Sequence, residues 1–135
     1  MSYGTAAALQ AAVYQRLMAD AALAALVGGA IHDSAPPGPI TGTYVTLGPE
    51  DVRDASDKTS AGARHDFVVS VVSDESGFRQ AKEAAVAVSD ALTGATLILG
   101  RGRLVGLWFL RARARRVGDA DQRRIDLTFR ARVEA

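Results

Sequence analysis

A chain of 135 residues with 48% hydrophobic content has the size and composition of one folded domain, 1–135, and is far too apolar for a disordered chain. It holds no Cys, which removes disulfide scaffolds, Cys-ligated zinc, iron–sulfur clusters and thiol catalysis; its 6% aromatic content leaves few platforms for stacking bases or sugars. The net charge of +1 conceals a polarity: residues 1–100 carry 6 basic and 11 acidic side chains, whereas residues 101–135 carry 10 Arg against 4 acids.

Leu9, Val13 and Leu17 recur at helical spacing, so residues 5–18 are predicted to form an amphipathic helix capped by Thr5. Polar residues at that spacing favour a folded helix over a signal peptide, and the apolar run Ala21–Ile31 is too short to span a bilayer. The expectation is a soluble intracellular protein. Asp20 reads as a second cap, opening a short helix Ala21–Val27 that Gly28-Gly29 ends. A brief strand at Ala30–His32 leads into a stiff turn, Ala35-Pro36-Pro37-Gly38-Pro39, and then a strand at Thr43–Leu47. Gly48–Gly62, rich in Asp, Ser, Gly and Lys without periodicity, reads as a flexible loop.

Alternation returns over Ala63–Ser73, with Phe67, Val69 and Val71 on one face. Ser76–Leu92 is the clearest helix, with a stripe of Phe78, Ala81, Ala85, Val88 and Leu92. Arg103–Val117 and Gln122–Val133 read as two long strands joined by a turn at Gly118–Asp121. In the last strand Ile125, Leu127, Phe129, Ala131 and Val133 alternate with charged or polar residues, which fixes its register. The predicted class is α+β: an antiparallel β-sheet of about four main strands with helices packed on one face.

No motif points to catalysis or to a cofactor. The dipeptides His32-Asp33 and His65-Asp66 contain the only histidines, too few for a metal site of the HD type, and neighbours in a strand point to opposite faces. They read as solvated or strand-edge polar residues. Gly100-Arg101-Gly102-Arg103 lacks the third Gly of a dinucleotide fingerprint and enters a strand rather than a helix. No serine sits in a Gly-x-Ser-x-Gly elbow. Asp51, Asp54 and Asp57 lie in the predicted loop, which would not hold the geometry that acid–base chemistry needs. A small hydrolase built on His65 and Asp66 is the weakest reading.

The Arg cluster is the strongest signal. Arg111, Arg113 and Arg115 share one strand face with Arg116 opposite, and Arg124, Arg130 and Arg132 line the polar face of the last strand. Three readings stay open. The Arg face contacts acidic surfaces of further copies head to tail, closing a ring. It is a solvated face paired internally with Asp119, Asp121 and Asp126. Or it belongs to a nucleic-acid-binding module using an Arg-rich sheet face, which the interleaved acids weaken.

The opening segments Leu9–Tyr14, Leu17–Leu23 and Gly28–Asp33, followed by the Pro-rich turn and Tyr44-Val45-Thr46-Leu47-Gly48, resemble small tail-completion proteins of long-tailed phages. The acidic loop, the strand Phe67–Ser73, the helix Phe78–Leu92 and the hairpin Asp119–Val133 extend the resemblance over nearly the whole chain. It implies a tail terminator, not an enzyme, with no metal or cofactor, in the tail of a phage or gene transfer agent and assembled in the bacterial cytoplasm. Such a protein forms a homohexameric ring that caps the tail tube, ends its polymerisation and meets the head–tail connector, or stopper. DNA passes through the lumen without sequence-specific binding, and no membrane is involved. The family carries no catalytic motif, so subunit or tail contacts are assigned from the residues themselves: Asp51, Arg53, Asp54, Asp57 and Lys58 on the loop, and Arg111, Arg113, Arg115, Arg130 and Arg132 on the strands.

Overall fold

The computed structural model describes residues 3–33, 41–59, 61–75, 77–118 and 122–135. Helices α1 (Ala6–Met18) and α2 (Ala21–Val27) precede strands β1 (Ile31–His32), β2 (Thr43–Asp54) and β3 (Gly62–Ser73). Helix α3 (Arg79–Leu92) then leads to β4 (Arg103–Val117) and β5 (Gln122–Glu134). The sheet runs β1-β2-β3-β5-β4, antiparallel except for the parallel β1–β2 pair. This is the expected α+β class with five strands instead of four, the addition being two-residue β1. Because β5 lies between β3 and β4, those two run in the same direction, and β3-α3-β4 forms a split β-α-β unit.

Local chemistry explains the element ends. Asp20 caps α2 by accepting a bond from the Leu23 amide at 2.9 Å, and Gly28 ends it at φ 63°, a conformation that glycine adopts without strain. Thr5 precedes α1 but does not cap it; the residue is fully buried, with its hydroxyl 3.4 Å from His65 Nε2. Helix α3 starts at Arg79, without a side-chain cap, and the expected cap Ser76 lies outside the described residues. So does the Pro-rich turn 35–39.

The helices cover one face of the sheet. Leu9, Val13 and Leu17 of α1 join Ala81, Ala84, Val88 and Leu92 of α3 over Val45, Val69, Val71, Leu127 and Phe129. Phe129 anchors an aromatic row across three strands, stacked with Phe67 at 5.8 Å and edge-on to Phe109 at 5.9 Å. Deleting such a ring from a core costs about 3–5 kcal/mol.

About half of the predicted loop Gly48–Gly62 is strand. β2 continues to Asp54 and β3 starts at Gly62, so only residues 55–61 lie between them. After an irregularity at Gly48-Pro49, Glu50 pairs with Phe67, Asp51 with Asp66, Val52 with His65 and Arg53 with Arg64. The apolar alternation is missing for a physical reason. The outer half of β2 lies at the sheet edge and puts Glu50, Val52 and Asp54 on the helix side, where Glu50 bonds Tyr3 and faces His65.

Candidate interaction surface

The helix-free face of the sheet is a lattice of charges. Asp66 on β3 receives two bonds from Arg130 on β5, Nε at 2.8 Å and Nη2 at 3.0 Å, and this pairing holds its carboxyl below the usual carboxylate value of 3.8. Asp126 accepts from Ser70 at 2.7 Å, Arg124 at 2.9 Å and Arg115 at 3.3 Å. Burial pushes its pKa up, but the bonds from Ser70 and Arg124 outweigh that and leave it lowered. Arg132 donates to the Ala55 carbonyl at 2.8 Å, and Arg103 meets Glu134 at 2.5 Å.

The candidate residues therefore divide into three groups. Arg130, Arg132 and Arg115 are engaged within the chain. On β2 and the following loop, Asp51 pairs loosely with Arg53 at 3.5 Å, Asp54 accepts from Ser56, and Asp57 accepts the Thr59 amide and hydroxyl at 2.9 and 3.1 Å. Lys58 is exposed in that loop. Arg111 and Arg113 are exposed in one row on β4, and neither has an ion-pair partner among the described residues. With Pro49, Val68 and Thr128 they line an open cleft of about 300 Å³. Asp51, Asp54 and Asp57 have Arg53 and Lys58 beside them and Arg132 reaching the Ala55 carbonyl, but Arg111, Arg113 and Arg115 of β4 lie at the far side of the sheet from them, separated by β3 and β5. Of the internal partners expected for the Arg face, Asp126 serves, while Asp119 and Asp121 lie outside the described residues.

His65 is not a solvated edge residue. It is fully buried on the helix-covered face, with Nδ1 3.6 Å from a Glu50 oxygen, while Asp66 points to the open face. No group of three metal-ligating side chains occurs among the described residues, and no helix there is long and apolar enough to cross a membrane.

Sequence reasoning missed the apolar part of the surface. β4 is an edge strand, and Trp108, Phe109 and Leu110 at its middle are 48%, 41% and 40% exposed. Trp108 and Phe109 alternate: Trp108 lies over Gly106 on the charged face, where a Cβ at Gly106 would come within 2.6 Å of its ring, Phe109 faces the helix side, and Leu110 falls in the irregularity between Phe109 and Arg111. There Phe109, Ala112, Val86, Ile125 and Leu127 line an open apolar groove of about 340 Å³. The available signal was the run Leu107-Trp108-Phe109-Leu110, whose consecutive apolar residues cannot all face one core.

Comparison with known proteins gives a consistent result. The family described as "Tail completion protein gp17" matches residues 11–134, and the chain belongs to it. The chain is also similar to one from the solved structure "Virion of native gene transfer agent (GTA) particle", at 73% identity and TM-score 0.93, covering 99% of this chain and 100% of that one. No curated protein matches.

Proposed function

We propose that this tail completion protein is a structural component of a gene transfer agent or phage-like particle, where it forms a homohexameric ring on the finished tail tube. The ring ends tube polymerisation and joins the tail to the connector on the head side, and DNA crosses its lumen without sequence-specific contacts. The observation that carries this reading is the 73% identity, over nearly the full length of both chains, to a chain of a gene transfer agent virion. The fold supports it: opposed charge at opposite sheet edges suits the head-to-tail contacts from which rings close. Asp51, Arg53, Asp54, Asp57 and Lys58 on one side, and Arg111, Arg113 and Arg115 on the other, are the proposed contacts with further copies or the tube. The nucleic-acid reading loses ground because Arg130 and Arg132 are engaged by Asp66 and the Ala55 carbonyl.

The test is deletion of the gene in particle-producing cells, followed by electron microscopy. Tails of uncontrolled length and heads without tails are expected. Tails of normal length joined to heads would overturn the assignment.

A further inference from the structure

Among the described residues, both edges of the sheet are open. β1 pairs with β2 only at Val45 and Thr46, so the edge from Leu47 to Asp54 has no strand beside it among the described residues, and neither does the outer edge of β4. The edges are complementary in charge. Residues 50–58 carry 4 acids and 2 bases, whereas 103–117 carry 5 Arg and no acid. They are complementary in shape as well. β4 presents half-exposed apolar residues at its middle, Phe109 on the helix side, Trp108 on the charged face and Leu110 after them, and the Gly48-Pro49 irregularity of β2 opens a cleft of about 270 Å³ walled by Leu9, Val13, Leu47 and Phe67, with Glu50 at its rim. An apolar centre within a charged rim is the anatomy of a specific protein interface.

We infer that these two edges are the ring contact, and that the occupant of each is a second copy of this chain: the middle of β4 in one copy meets the outer half of β2 in the next, with Phe109 on the helix side toward the β2 cleft, Trp108 on the charged face beside Pro49, and Arg111 and Arg113 facing its Asp51. The inference rests on the ring reading above and specifies its interface. Strand direction is compatible. β2 and β4 run oppositely within one chain, and rotation about an axis along the strands preserves direction, so β4 meets the neighbouring β2 antiparallel. Pro49 has no amide hydrogen and sits where an edge ladder would continue, so side-chain packing rather than a long ladder carries the contact.

The absence of cysteine makes the contact testable in assembled particles. Pro49→Cys is combined in turn with Trp108→Cys, Leu110→Cys and Arg111→Cys to scan the register; purified particles are oxidised, blotted under denaturing conditions, and imaged in parallel. A ladder of cross-linked copies is expected from at least one pair, with none from either single variant. Images showing a symmetric ring at the tail end but no ladder from any pair would overturn this interface and leave the ring reading standing. Images showing no ring would overturn both.

Discussion

Asp66 and Arg130 show what a single pair contributes to the charged face. The carboxylate accepts two bonds from one guanidinium, both groups are about a quarter to a third exposed, and the carboxyl is shifted below 3.8 by those bonds. A depressed carboxylate contributes stability that is fully present above the unfolded value and lost as pH falls through the folded one. Asp126, lowered by Ser70 and Arg124 against the effect of burial, acts in the same sense. Stability to urea is therefore expected to hold steady from neutrality to about pH 5 with respect to these two groups and to fall below about pH 4. Asp66→Asn removes part of that acid limb and costs about 1 kcal/mol at pH 7, the screened value for a pair of this exposure. An acid limb identical in the variant would show that the pair contributes nothing to folding.

At the scale of elements, α3 is where small residues matter most. Ala81, Ala84, Ala87, Val88 and Ala91 are buried along it, and its neighbours come close enough to bond it directly. Arg16 of α1 donates to the Ala91 carbonyl at 3.0 Å, and Gln80 of α3 donates to the Leu26 carbonyl of α2 at 3.3 Å. Ala84→Leu forces those helices apart and is expected to lower stability by about 1–3 kcal/mol, read as a lower thermal midpoint; an unchanged midpoint would mean that the layer is loosely packed. Elements with such one-sided burial were legible in the sequence: α1, α3, the outer half of β3 over Ala63–Val69 and all of β5 follow from periodicity because each has one buried and one partly exposed side. The outer half of β2 and the middle of β4 were not legible. An edge strand has fewer neighbours to impose alternation, so Glu50-Asp51 passed as loop and the apolar run at 107–110 passed as ordinary strand. The same property hid the candidate surface: charge pointed to Arg111 and Arg113, but only the topology places them beside an uncovered apolar group and across the sheet from the acids.

For the whole molecule, the proposed contact separates two physical roles that kinetics can tell apart. Charges at the rim of an interface mainly accelerate encounter and are screened by salt, whereas a desolvated apolar centre mainly slows dissociation. Trp108 is the only tryptophan in the chain and is half-exposed in the single copy, so its emission reports the contact directly. Assembly is expected to shift that emission to the blue as the indole leaves water. Raising ionic strength from about 0.1 M to about 1 M, which shortens screening from about 10 Å to about 3 Å, should slow the shift, and so should Arg111→Ala combined with Arg113→Ala. Neither change should disperse rings that have already formed. Leu110→Ala should do the reverse, leaving the rate of association nearly intact while assembled rings come apart faster after dilution. If a salt jump instead dissolves preformed rings, charge rather than the apolar group holds the copies together. The polarity of the chain would then be its whole adhesive rather than its means of steering.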